Sequence, residues 1–193
     1  LKKNIAIVLF DDVEVLDFAG PFEVFSVTDE LNDYQIFDVY TVASEKRPIR
    51  ARNGLSVNPD YDFRSAPIPE ILIVPGGAGT RPFLRHSNSL NWITTRAASA
   101  ELVLSVCSGS LVLAAAGLLN GLEATSHHQV IDELIALAPS ATVHRDRRFV
   151  DNGKVITAAG ISAGIDMSLY VIEKILGRGV AEATARYMEY PYE

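Results

Sequence analysis

The sequence predicts one doubly wound α/β domain over residues 1–193, a mostly parallel sheet with helices on both faces. Three observations carry this reading. Short β-branched apolar runs alternate with segments of helical spacing. Several of those runs, Ile71-Leu72-Ile73-Val74 above all, are apolar throughout, the pattern of strands covered on both sides. No linker, repeat or low-complexity stretch divides the chain.

Ile5 to Phe10 reads as the first strand, closed by Asp11-Asp12. Helical spacing follows from Leu16. Gly20-Pro21 with Glu23 reads as a helix start, with proline in the first turn and an acid at the positive end. Tyr34 to Val42 is a second strand, and Ala43 to Asn53 is expected to hold a small hairpin. Ile71 to Val74 is a central strand ending in Pro75-Gly76-Gly77-Ala78-Gly79. A helix near Ser89 to Ala98 leads to the strand Leu102 to Val106, then to Cys107-Ser108-Gly109-Ser110 and an Ala/Leu-rich helix from Leu111 to Leu119. Beyond Ala124-Thr125-Ser126-His127-His128 come a helix from Val130 to Leu137 and short strands near Thr142-Val143, Arg148-Val150 and Val155-Ala159. Helices Ala163 to Leu176 and Val180 to Tyr187 close the domain.

A hydrophobic fraction of 48% with 21% charge is ordinary for a chain that buries one core. The formal charge of −7 is spread along the chain and argues against nucleic acid or an anionic membrane as partner. The densest basic stretch, Arg145-Asp146-Arg147-Arg148, is broken by an acid and reads as a solvated turn. Leu102 to Leu122 carries no charge and has the length of a membrane span, but Cys107 to Ser110 interrupts it and Gly117, Asn120 and Gly121 close it. One cysteine forms no internal disulfide, and Leu1 to Asn4 runs into the first strand with no signal-peptide core. A reducing, cytoplasmic setting is therefore expected.

In a sheet of this kind ligands bind beyond the carboxyl ends of the strands. Cys107 falls there, between a strand and a helix. A thiol on such a turn stands above the sheet edge, and a helix N-terminus lowers its pKa. A small buried hydrophobe is the plain alternative. Gly76-Gly77-Ala78-Gly79 is either a tight turn or the source of a backbone N–H, from Gly77, aimed at a developing anion. It lacks the third glycine of a dinucleotide loop and the lysine of a Walker motif. Asp17, flanked by Leu16 and Phe18, either caps the helix or lies buried beside the sulfur, where burial and a thiolate would both raise its pKa. Glu23 is the competing acid.

His127 and His128 are adjacent and unsuited to share one metal, and no HExxH motif is present, so neither metal nor cofactor is expected. One histidine could orient the thiol, or both could be loop residues with satisfied polar atoms. A C-x₅-R phosphatase loop is excluded by Leu113.

At these residues the chain resembles the ThiJ/PfpI superfamily, relatives of class I glutamine amidotransferase domains, over nearly its whole length. The resemblance is carried by Phe10-Asp11-Asp12 through Leu16-Asp17-Phe18-Ala19-Gly20-Pro21-Phe22-Glu23-Val24-Phe25, by Val74-Pro75-Gly76-Gly77-Ala78-Gly79, and by the segment from Val106-Cys107-Ser108-Gly109 to Leu119. Ala124-Thr125-Ser126-His127 and Ala185 to Tyr192 agree as well. The Leu-Asp-Phe-Ala-Gly-Pro block points to the branch containing isonitrile hydratase and the sensor domains of AraC-type regulators.

The resemblance implies a flavodoxin-like fold, a homodimer, a nucleophile at Cys107 in a strained elbow, and Asp17 as its acidic partner. Ser108 stands where the hydratase pattern has threonine, and His128 where tryptophan is frequent. The implied activity is hydration of a small-molecule isonitrile, a hydro-lyase reaction through a thioimidate on Cys107. Ser108 would join Cys107 and Asp17 as a catalytic residue, backbone N–H groups around Gly77 and Ser108 would stabilise developing negative charge, and Gly76, Gly77 and His127 would line the substrate and oxyanion site. Alternatives that keep the same thiol are glyoxalase- or deglycase-like carbonyl chemistry and redox sensing through a sulfenic acid. A non-catalytic ligand-binding module is a third.

Overall fold

The computed structural model describes residues 1–192. In chain order its elements are β1 (Lys3–Val8), α1 (Val15–Glu30), β2 (Phe37–Ala43), β3 (Ile49–Arg50), β4 (Ser56–Val57), β5 (Tyr61–Asp62) and β6 (Ile71–Val74). There follow α2 (Thr80–Leu84), α3 (Ser87–Ser99), β7 (Leu102–Val106), α4 (Gly109–Ala115), β8 (Glu123–Ala124), α5 (Ile131–Leu137), β9 (Thr142–Val143), β10 (Phe149–Asp151), β11 (Val155–Ala158), α6 (Ala163–Leu176) and α7 (Arg178–Tyr187).

Seven strands form the main sheet in the order β10-β11-β7-β6-β1-β2-β5. All neighbours run parallel except β10, which pairs antiparallel with β11 at one edge. The central strands show the period-two logic of a sheet buried on both faces. Ile5, Ile7, Ile71, Ile73, Leu102 and Leu104 pack on one side with Phe25, Phe37 and Met167. Ala6, Val8, Leu72, Val74 and Val103 pack on the other with Ile93, Leu111, Leu113 and Leu134. This is the doubly wound, flavodoxin-like α/β architecture expected.

Chain order leaves β1 for β2 and β5 on one side, then returns to β6, β7 and β11 on the other. The loops after β1 and β6 therefore diverge and open a crevice, the place where such sheets bind ligands. Val74 pairs with Ser105, and Val106 with Ala158, so the ends of β6, β7 and β11 stand level at that edge.

Several sequence readings are corrected. Helix α1 begins at Val15, and Pro21 lies inside it. Gly20-Pro21 is a helix-crossing contact: a Cβ on Gly20 would come within 2.9 Å of Ile165 on α6, and Gly164 of α6 faces Pro21. Packing has overridden a local start signal. The hairpin is β3–β4, which extends past Asn53, and α4 is a shorter helix that starts and ends earlier than expected. Helix α2 around Pro82 was not foreseen. The uncharged window from Leu102 resolves into β7, α4 and turns, and among the described residues no helix is long and apolar enough to cross a membrane.

Candidate active site

Strand β7, buried along its length, ends at Val106, and Cys107 turns the chain sharply with a φ of 56°. A side chain with a Cβ is disfavoured there by about 1–3 kcal/mol, so the surroundings must hold it. Its amide donates to the carbonyls of Ala158 (3.2 Å) and Ala159 (3.1 Å). Its carbonyl accepts the hydroxyls of Ser126 (2.8 Å) and Ser110 (3.3 Å), which are themselves 2.7 Å apart. The β6 loop lies hard against this elbow, because Gly76 has no side chain: a Cβ there would sit 2.5 Å from the Ser108 nitrogen and 3.0 Å from Cys107 Cβ.

Asp17, in the first turn of α1, is fully buried. Its Oδ2 accepts the Gly76 amide at 3.0 Å, whereas Oδ1 is buried with no hydrogen-bond partner among the described residues. Burial pushes its pKa up to about 7. The Gly76 amide opposes the rise, the Glu14 charge adds to it, and the Cys107 thiol opposes it. Cys107 is also buried, and its thiol is pushed up to about 12, first by desolvation and then by the Asp17 charge. The amides of Ser108 and Ile161 pull it the other way. The expectation of a depressed thiol is thus reversed: one short helix does not outweigh burial beside a carboxylate. Between those two values the pair holds one proton.

The Ser108 amide lies at the sulfur, as expected, while its hydroxyl and the two glycine amides serve to join the loops. The Ser108 hydroxyl accepts the Gly77 amide at 2.9 Å and lies 3.3 Å from the Gly77 carbonyl, with Thr80 Oγ1 at 3.5 Å. It staples the elbow to the β6 loop. The Gly76 and Gly77 amides are therefore both engaged, and the Gly77 donor expected for an anion is replaced at the sulfur by the amides of Ser108 and Ile161. Ile161, with a φ of 38°, carries no sequence signal for this role, since the group it offers is backbone.

His127 borders the same hollow. Its Nδ1 accepts the Gln129 amide at 3.2 Å, which leaves the ring proton on Nε2 in the neutral form. Burial, and then His128, hold its pKa below the ordinary histidine value. The two rings lie 4.3 Å apart and tilted by 33°, and His127 also lies against Gly160, where a Cβ would overlap it. No hydrogen bond joins His127 to Cys107 among the described residues. Glu23 is exposed on α1, so Asp17 is the acid beside the sulfur.

The hollow over Cys107 encloses about 310 Å³. Ser108, Gly77, His127 and Ile161 line it, together with Glu14, Arg52 and Arg81, which sequence reasoning missed. Among the described residues no three His, Cys, Asp or Glu side chains converge as metal ligands would.

The family model described as "DJ-1/PfpI family" matches residues 3–174. An isonitrile hydratase of Pseudomonas putida is 36% identical over 190 residues, covering 97% of this chain and 78% of that protein. The HTH-type transcriptional regulator GbdR of Pseudomonas aeruginosa is 24% identical over 97% of this chain, which spans only 51% of the regulator. Among solved structures, a ThiJ/PfpI family protein from Pseudomonas syringae superposes with a TM-score of 0.90 at 31% identity, over 100% of this chain and 77% of that one.

Proposed function

Because the chain belongs to the DJ-1/PfpI family, we propose that it is a cysteine-nucleophile hydro-lyase that hydrates a small isonitrile to an N-substituted formamide. The similarity to isonitrile hydratase supports the reaction class. The observation that carries the chemistry is the burial of Asp17 beside the Cys107 thiol, with Oδ2 on the Gly76 amide; burial raises the pKa of both groups.

The thiol holds that proton more tightly than the carboxylate does, so transfer is coupled to attack. Asp17 takes the S–H proton as the terminal carbon of R–N≡C closes on Sγ, and then gives it to that carbon. The product of this half is a thioimidate, R–N=CH–S–Cys107. Water then adds to the same carbon, losing a proton to Asp17, which passes it to nitrogen. The adduct R–NH–CH(OH)–S collapses, releasing R–NH–CHO, and the hydroxyl proton returns through Asp17 to the sulfur. Protons balance, and the net change is addition of one water. Departing thiolate faces the Ser108 and Ile161 amides, which stabilise its charge. The same raised thiol makes a peroxide sensor the weaker reading, since oxidation to sulfenic acid proceeds from thiolate.

Formamide formation from cyclohexyl isocyanide tests this reading. Turnover by the intact protein and none by Cys107→Ala is expected; turnover that survives Cys107→Ala, or none in either, overturns it.

A further inference from the structure

The lining of the hollow over Cys107 mixes apolar groups with the charges of Glu14, Arg52 and Arg81, and those charges differ in how far they are committed. Four arginines stand around Cys107 in this hollow and the one that adjoins it across His127 and His128. Three are held by carboxylates outside the lining: Arg81 donates to Glu133 at 2.7 Å, Arg145 to Asp132 at 2.5 Å, and Arg148 to Asp166. The fourth, Arg52, has no hydrogen bond to its guanidinium among the described residues. Among the described residues the one carboxylate within 4 Å of it is that of Glu14, 3.7 Å from Nε.

Arg52 is nonetheless fixed in place. Its backbone amide donates to the Val13 carbonyl at 2.9 Å, and Val13 pairs with Gly77 in an isolated bridge. Asp12 ties the same excursion down through the Arg50 carbonyl at 2.8 Å. The segment between β3 and β4 thus places at the mouth of the hollow a planar fork that is held only by the longer Glu14 ion pair, with half of its side chain still open to solvent. Glu14 approaches from the Nε side, which leaves the two Nη groups for an end-on, bidentate partner.

We infer that the substrate of this site carries a carboxylate at the end remote from its reacting carbon, and that Arg52 binds it. Resting on the hydratase reading, the substrate class is a short isonitrile-bearing carboxylic acid, R–N≡C with a carboxylate on R, and the product is the corresponding N-formyl amino acid. Water supplies the only added atoms. A site built to pair a charged group discriminates against the analogue that lacks it, because the fork is then left unpaired.

The test compares isocyanoacetate and 3-isocyanopropanoate with their methyl esters at pH 8, alongside cyclohexyl isocyanide. For at least one chain length kcat/KM is expected to favour the acid over its ester by about tenfold, the scale of a charge-assisted hydrogen bond at a half-exposed site. The acid-to-ester ratio should collapse toward one in Arg52→Gln and be partly retained in Arg52→Lys. That ratio is internal to each variant, so loss of folded protein does not move it. Esters equal to or better than acids, or a ratio unchanged in Arg52→Gln, overturn the inference and leave the hydratase reading standing. If no isonitrile is turned over, the hydratase reading itself fails. The anion site is then decided by calorimetric titration of Cys107→Ala with N-formylglycine and its methyl ester. Acid-selective binding lost on adding Arg52→Gln upholds the site, and equal or absent binding ends it.

Discussion

Asp17 accepts the Gly76 amide through Oδ2 at 3.0 Å while its Oδ1 stays buried without a hydrogen-bond partner among the described residues, beside the Cys107 thiol. A carboxylate left half-satisfied inside a protein is costly. Protonating Oδ1 removes the charge and creates a donor facing the sulfur. The cost of the ionised form is therefore what makes the group ready to take and return a proton.

That cost has a measurable sign. Asp17 has a folded pKa near 7 against an unfolded value near 3.8, so between those values the native state binds the extra proton. Its contribution to stability is present at acid pH and is lost as pH rises toward 7, by roughly 4 kcal/mol at the full shift. Asp17→Asn keeps an oxygen for the Gly76 amide and removes the charge. Denaturant unfolding at pH 8 should find the variant more stable than the parent, with the gain shrinking toward pH 5.

The Asp17 charge also holds the thiol up. Alkylation by iodoacetamide at pH 8 should be slow in the parent and several-fold faster in Asp17→Asn, because thiolate is the reacting form. Desolvation remains in the variant, so the rate should stay below that of a free cysteine peptide. Mass mapping of the label to Cys107, the chain's only cysteine, reads this directly.

Ser108→Ala removes the acceptor of the Gly77 amide. A loss of about 1–2 kcal/mol in stability is expected from the unpaired donor, measured by chemical denaturation. Formamide turnover should fall as well, since the staple that sets the elbow against the β6 loop is gone.

Gly76→Ala places a methyl group against the Ser108 nitrogen at 2.5 Å, where the obstacle is backbone and cannot swing away. The loss should be about 2–3 kcal/mol or more in thermal or denaturant unfolding, larger than that of Ser108→Ala.

Much of this fold is legible in the residues. Ile71–Val74 and Leu102–Val106 were legible to the residue because strands buried on both faces read as short uncharged β-branched runs, with Ser105 the one polar residue in the two. The start of α1 was not, because Gly20-Pro21 imitates a helix start while serving a crossing with α6. In the site, Cys107, Asp17, Ser108 and His127 each carry a side-chain signal, and the sheet brings them to one crevice. Arg52, Arg81 and Glu14 belong to no motif; only topology places them on the lining. Ile161 offers an amide, which no residue type announces.

The account turns on the single proton of the Asp17–Cys107 pair, and the most direct measurement is kcat/KM for formamide formation between pH 5 and 9. A second proton bound near pH 7 leaves carboxylic acid beside thiol, with no base to take the S–H proton. The rate should therefore fall tenfold per unit below about 7 and level off above it, and Asp17→Asn should lose that limb along with most of the activity. A profile that runs level through pH 7, or an Asp17→Asn enzyme that keeps the parent's limb, would contradict the assignment of the proton to this pair.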